Sequence, residues 1–114
     1  MTGVQTCALP ILAVGSLDRS KVLPSVPTIA ESGYKGFETS QWYGIIVPAG
    51  TPQPIIDKLA QEIAKGLKSK EDSKKMLEDG AVLVGDTPAQ FASFIKSEQR
   101  RWAKVVEKAK ITVD

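Results

Sequence analysis

A largely apolar stretch followed by a proline-rich turn most constrains the fold of this 114-residue chain. Residues 37–47 are rich in aromatic and β-branched side chains, which predicts a strand buried on both faces of a mixed sheet. Pro48, Ala49 and Gly50 then turn the chain. Thr51 suits a helix N-cap, and Pro52 suits the first helical position, where a missing N–H costs nothing. A strand followed by a capped helix predicts an α/β fold.

Helical spacing of apolar residues predicts three helices after that turn. The first carries one apolar stripe, made by Ile55, Ile56, Leu59, Ile63 and Leu67. A second, shorter helix is expected to begin at Ser69 or Lys70 and to end at Gly80. Thr87 and Gln90 form the pattern of a capping box, which opens a third helix reaching about Lys110. The acidic Glu71 and Asp72 suit the first turn of the second helix better than a catalytic pair.

Shorter apolar runs predict further strands before and between these helices. Residues 12–15 resemble the end of a buried strand that enters a loop. Residues 81–84 predict a brief strand. Between them, Thr28 is expected to cap a short turn that runs to Ser32 and closes at Gly33 with a left-handed backbone.

The composition is that of one ordinary globular domain able to bury its own core, with 42% hydrophobic and 25% charged residues. The 15 basic and 13 acidic residues are interspersed and leave a formal net charge of +2, which argues against nucleic-acid binding. No apolar run reaches the 18 residues of a membrane-spanning helix, so we expect a chain that is not membrane-embedded.

The near absence of histidine and cysteine removes most familiar catalytic and metal sites. The chain has no histidine and a single cysteine, Cys7, which excludes Cys/His zinc sites, Ser/His/Asp triads and Cys/His dyads within it. No nucleophile and base can be paired. We therefore predict a protein that is not an enzyme and that carries no metal or cofactor.

The first eleven residues look foreign to the rest of the chain. Residues 1–11 resemble the translation of a common sequencing adapter joined to a truncated gene, so we interpret them as a scar that includes Cys7. The alternative is a short N-terminal strand broken by Pro10. On the first interpretation, residues 12–114 are native and the natural chain extends upstream. No secretory signal is recognisable near Met1, and an export signal would lie in that upstream part.

A series of short motifs carries a family resemblance over residues 12–114. In order, they are VLPSVPTIAESG at 22–33, GFE at 36–38, WYG at 42–44, PAGTP at 48–52, GDTPAQF at 85–91 and WAKVV at 102–106. Each is weak alone, but the ordered series resembles the C-terminal part of Bug-type receptors. These are the extracytoplasmic solute-binding proteins of tripartite tricarboxylate transporters.

This resemblance implies part of one lobe of a type II periplasmic-binding-protein fold, with a short mixed sheet and flanking helices. It also implies a periplasmic protein that captures small organic carboxylates and delivers them to the membrane permease subunits of the transporter. The truncated chain is not expected to bind on its own, because the family's main anion-holding loops lie upstream. The alternative function is a small helical interaction or regulatory module that uses the apolar stripes of the first and third helices.

Candidate ligand-binding residues stand together at the start of the predicted strand. Ser40, Gln41 and Trp42 offer a hydroxyl, an amide and an aromatic wall, at a position where α/β sheets expose ligand contacts. Alternatively, Trp42 and Tyr43 are core aromatics and Ser40 is a loop hydroxyl. Two further residues, Arg100 and Arg101, could bind a carboxylate through bidentate guanidinium hydrogen bonds. Alternatively, they lie on the solvent-exposed face of the third helix.

Overall fold

The computed structural model of the chain describes residues 10–113. Three helices account for its regular structure: α1 is Gln53–Lys68, α2 is Lys70–Glu78 and α3 is Pro88–Ala109. Within the described residues there is no strand, and the only β pairing is an isolated parallel bridge between Val14 and Thr28. The described residues divide into two compact units, one made of 10–45 with 78–81 and the other of 46–77 with 82–113.

The first unit is organised around the backbone of Val14 and Gly15. The Val14 amide donates to the Pro27 carbonyl at 2.9 Å, and the Ile29 amide donates back to the Val14 carbonyl at 3.0 Å. The Gly15 carbonyl accepts from the Thr39 amide at 2.8 Å. These bonds close the loop between residues 15 and 27 at its base, since both of its ends are held to one another.

Thr28 caps the following turn, as the sequence predicts. Its hydroxyl accepts from the Glu31 amide at 3.0 Å, and its carbonyl accepts from both the amide and the hydroxyl of Ser32. The Thr28 side chain is fully buried. Gly33 follows with a φ of 116°, a region that favours glycine. The predicted capped turn and its glycine are confirmed.

The second unit contains α1, α2 and α3 apart from the last residue of α2, and α1 packs against α3. The start of α1 differs from the prediction. Pro52 occupies the N-cap, one position before its expected place, and no side chain caps the helix. The Thr51 hydroxyl instead donates to the Pro48 carbonyl at 2.7 Å. The predicted Thr51 cap is therefore wrong, because the helix begins at Gln53 and Pro52, which has no polar side chain, stands at its N-cap.

The capping box of α3 is present in full. The Thr87 hydroxyl accepts from the Gln90 amide at 3.3 Å, and the Gln90 side chain accepts from the Thr87 amide at 3.0 Å. Lys110 ends the helix with a φ of 52° in the left-handed region. With 22 residues, α3 is roughly 33 Å long at ~1.5 Å per residue. Both ends predicted from the sequence are confirmed.

The second helix also agrees with the sequence. It begins at Lys70, carries Glu71 and Asp72 in its first turn, and is followed by Gly80 with a φ of 85°. Acidic groups near a helix N-terminus are favourable because they oppose the positive end of the helix dipole. Their role here is helix stabilisation.

The predicted strands are the main error of the sequence reading. Residues 37–47 form no strand, residues 81–84 form none, and residues 12–15 contribute only the single bridge at Val14. Burial of 37–47 on both faces is also wrong, since Tyr43 is 85% and Ile46 84% exposed. A strand needs a neighbour for its N–H and C=O groups, and the described residues do not supply one. The short mixed sheet stays unconfirmed.

The expectation that the chain buries a hydrophobic core of its own is also wrong for the described residues. Among the described residues no hydrophobic side chain is buried, and the three buried residues are Thr28, Ser73 and Glu98. The apolar stripe of α1 is only partly covered by other residues, and Ile55 and Leu59 are exposed. The helices are thus formed by local signals and partial packing, without a closed core around them.

Candidate functional site

The three predicted ligand contacts lie together in an open segment of the first unit. Ser40 and Gln41 are exposed, and Trp42 is 43% exposed. The chain has no helix, turn or bend from 37 to 48, so these residues follow one another along an extended stretch. Tyr43 is 85% exposed, which contradicts its interpretation as a core aromatic. Ser40 and Gln41 thus present a hydroxyl and an amide at exposed positions, and their role in ligand contact stays a prediction.

The electrostatic character of this segment follows directly from its sequence. No Asp, Glu, Lys or Arg occurs from residue 39 to residue 56. Any anion held by Ser40 and Gln41 would therefore be bound by neutral hydroxyl and amide donors. Glu38 is the acidic group that precedes the segment.

The two arginines singled out from the sequence have different environments on α3. Arg100 is exposed. Arg101 donates from Nη2 to Oε2 of Glu98 at 2.8 Å, and its guanidinium lies 5.3 Å from the centroid of the Trp102 ring. A guanidinium over an indole is favourable through the ring quadrupole. Arg101 thus already has a carboxylate partner within its own helix.

Glu98 is the centre of a polar cluster that the sequence analysis missed. It is only 8% exposed, and the same Oε2 that accepts from Arg101 also accepts from Nε1 of Trp102 at 3.1 Å. The spacing of three and four residues along a helix is the signal that could have revealed it. The cluster fixes the orientation of the Trp102 ring.

A second missed feature joins two distant residues of the first unit. Arg19 donates from Nε to both carboxylate oxygens of Glu31 at 3.0 and 3.1 Å, and from Nη2 to Oε2 at 2.6 Å. Its Nη1 donates to the Pro24 carbonyl at 3.2 Å. The guanidinium therefore ties the loop to the turn that follows it. No local pattern connects residues twelve apart, so the sequence gave no signal for the pair.

The pKa values of both partners respond to this contact. The hydrogen bond from Arg19 lowers the pKa of the Glu31 carboxyl, and the positive charge and the Thr28 contacts act in the same direction. The pKa of Arg19 is raised, first by the hydrogen bond to Glu31 and then by its charge. Both side chains are exposed, so solvent screens much of the interaction.

Two kinds of structural feature are missing from residues 10–113. In that range no three His, Cys, Asp or Glu side chains come close enough to hold a metal ion. The helices in it are also too short or too polar to cross a membrane.

Comparison with known proteins gives the family. Residues 1–111 match the profile described as the tripartite tricarboxylate transporter family receptor, TctC. The chain belongs to this receptor family. Among curated relatives, BugT of Bordetella pertussis is 43% identical over 98 residues, which are 86% of this chain and 30% of that protein. The UPF0065 protein in the tcbD-tcbE intergenic region of Pseudomonas sp. strain P51 is 40% identical over 96 residues, covering 83% of this chain and 29% of that protein.

Solved structures agree with the family. The periplasmic binding protein BugD matches with a TM-score of 0.76 and 38% identity, over 87% of this chain and 34% of that one. The R. palustris protein Rpa4515, solved with adipate, matches with a TM-score of 0.78 and 37% identity, over 89% of this chain and 34% of that one. The receptor chain described here thus spans about a third of the length of these proteins.

These findings confirm the predicted resemblance. The chain corresponds to a C-terminal portion of a Bug-type receptor, and its structural neighbours are periplasmic binding proteins. The family is one of transporter receptors and is not an enzyme family. Membership of this family favours the solute-binding receptor over the small helical interaction module that the sequence left as an alternative. The foreign origin of residues 1–11 stays a prediction, and the family match begins at residue 1.

Proposed function

We propose that this chain is part of a periplasmic receptor that captures small organic carboxylates for the permease subunits of a tripartite tricarboxylate transporter. The observation that carries the proposal is the match of residues 1–111 to the receptor family. A neighbour of that fold was solved with adipate, a dicarboxylate, which supports carboxylates as the ligand class. The receptor performs no chemical step, and its mechanism is closure of two lobes around the ligand, which selects the liganded conformation.

Within that receptor, Ser40, Gln41 and Trp42 are the residues we assign to ligand contact. Their exposure supports this assignment, as does a surrounding stretch without charged side chains. Hydroxyl and amide donors can bind a carboxylate without the desolvation cost of an ion pair. The indole ring would supply an apolar wall for the methylene groups of a dicarboxylate.

The 114-residue chain is proposed to need the remaining two thirds of a receptor for binding. The two curated relatives compared above are about three times as long, and the described residues lack a buried hydrophobic core. A binding cleft between lobes needs both of its walls. We therefore expect the isolated chain not to bind the ligand and the full-length receptor to bind it.

Titration calorimetry measures binding, and urea unfolding measures stabilisation; each is carried out with adipate and with citrate, and together they test both parts. The isolated chain is expected to give no binding heat, and the full-length receptor is expected to be stabilised by at least one of the two. At a ligand concentration ~100 times the dissociation constant, the stabilisation should be about 2.7 kcal/mol. A full-length receptor that neither acid stabilises would contradict the proposed function, and binding by the isolated chain would contradict the need for the rest of the receptor.

The assigned contacts are tested by paired substitutions in the full-length receptor. S40A with Q41A should weaken carboxylate binding, because two donors are lost. S97A with Q99A is the matched control, since it removes the same two side-chain types from exposed positions of α3. Equal affinity loss in both variants, or unchanged affinity in the first, would show that the assignment is wrong.

A further inference from the structure

Gly15 lies against the backbone that leads into the assigned ligand contacts. Its carbonyl accepts from the Thr39 amide at 2.8 Å, and Thr39 directly precedes Ser40 and Gln41. A Cβ added at position 15 would lie 2.6 Å from the Thr39 Cγ2 and 2.8 Å from the Thr39 carbonyl oxygen. That oxygen belongs to the planar peptide group between Thr39 and Ser40, so a side chain at position 15 would displace the start of the contact segment.

The backbone conformation of Gly15 does not explain why this position is a glycine. Unlike Gly33, Gly15 has a φ outside the left-handed region, in a range that other residues also adopt. A glycine in an extended stretch often marks a site where another backbone approaches closely. The need for glycine at position 15 is therefore one of space, and Thr39 is the residue that occupies this space.

Gly15 also belongs to the best-fixed part of the first unit. The preceding residue, Val14, donates to the Pro27 carbonyl and accepts from the Ile29 amide. Ser40 and Gln41, in contrast, make no backbone–backbone hydrogen bond with other described residues. The bond between Gly15 and Thr39 is therefore the attachment that directly precedes these two residues and joins them to the bridge at Val14.

We propose that Gly15 is a positioning residue for carboxylate binding, which holds Thr39 and thereby sets the places of the Ser40 hydroxyl and the Gln41 amide. This inference rests on the proposed function, because it needs the two groups to contact the ligand. An ordinary contact begins at about 3.4 Å, so a Cβ at position 15 would require a shift of about 0.6 Å at the Thr39 carbonyl. The shift is as large as the ~0.5 Å range of hydrogen-bond lengths, and it is expected to break bonds to a ligand.

Affinity measurements on the full-length receptor test the positioning role. Titration calorimetry with adipate and with citrate compares the unmodified receptor, G15A and G66A. G15A should bind roughly tenfold more weakly, which is the loss expected when one hydrogen bond to a charged group is broken. G66A is the matched control with native affinity, because a Cβ added there, inside α1, meets nothing within 4 Å. Native affinity in G15A, or an equal loss in G66A, would overturn the proposal.

A double-mutant cycle separates positioning from a general loss of structure. When G15A is added to S40A with Q41A, the further loss should be no more than about twofold, because the groups that Gly15 positions are already gone. The full tenfold loss in this background would show that Gly15 acts independently of Ser40 and Gln41, and would overturn the proposal.

A substitution at Thr39 covers the case in which G15A does not fold. T39P removes the amide donor to the Gly15 carbonyl without adding a side chain at position 15. It should weaken binding as G15A does, and native affinity in T39P would overturn the proposal.

The unmodified receptor distinguishes this inference from the proposed function. A receptor that binds neither acid contradicts the proposed function and the positioning role together. A receptor that binds one of them, with G15A at native affinity, contradicts the positioning role alone.

Discussion

Removing the hydroxyl of Thr87 tests the capping of α3, and the structure sets the size of the effect. T87A deletes the acceptor of the Gln90 amide, while the reciprocal bond from the Thr87 amide to the Gln90 side chain can persist. Loss of a threonine cap typically costs about 1 kcal/mol. The donor–acceptor distance of 3.3 Å is longer than an ideal bond, which places the expected cost at or below that value.

Thr51 provides the comparison that makes this prediction specific. Both threonines precede a proline and an apolar helix, but the Thr51 hydroxyl donates to the Pro48 carbonyl and caps nothing. T51A therefore leaves every amide of α1 with its present partner. We expect T87A to destabilise the first turn of α3 and T51A to leave the first turn of α1 unchanged.

Amide hydrogen exchange followed by NMR resolves the two helix starts separately. In T87A the Gln90 amide should lose its protection, and the Phe91 amide should exchange up to about fivefold faster, which corresponds to ~1 kcal/mol. T87S should restore the native rates, because serine presents the same acceptor. Faster exchange at the start of α1 in T51A, or an unchanged Gln90 amide in T87A, would refute the distinction between the two threonines.

Three further predictions each concern the substitution of a single residue. In an NMR pH titration, the pKa of the Glu31 carboxyl should lie below that of a free glutamate, and it should rise in R19L. Because the pKa is lower in the folded state, the contact should stabilise the fold above the unfolded-state pKa. This stabilisation should be lost as the pH falls through the folded-state pKa. G15A should abolish the protection of the Thr39 amide, since an added Cβ would lie 2.6 Å from the Thr39 Cγ2; unchanged protection would contradict the close approach. G66A, where an added Cβ meets nothing within 4 Å inside α1, should instead raise the stability of the helix by about 0.5–1 kcal/mol in urea denaturation followed by circular dichroism, and any loss would contradict this.

The candidate site shows where sequence reasoning stops. The position of Ser40, Gln41 and Trp42 in one open segment agrees with a ligand-contacting role, and that role stays a prediction. The contacts around Glu98 have a recognisable signal in their helical spacing of three and four residues. The pair of Arg19 with Glu31 had none, because the two residues are twelve positions apart and meet in a loop whose base is closed by the tertiary bridge between Val14 and Thr28.

The sequence by itself determined the family and the features that depend on neighbouring residues. The capping box at Thr87 and the turn capped by Thr28 are set by side chains within about four positions of the backbone groups they satisfy, and the three helices lie close to the bounds that local patterns predict. Tertiary structure decided which threonine hydroxyl caps a helix and which, like that of Thr51, donates to a turn. It also decided whether an apolar stretch pairs as a strand. An apolar stretch such as 43–47 carries the propensity for a strand but not the partner. Its hydrogen bonds must come from another segment, and so they depend on what the rest of the structure places beside it.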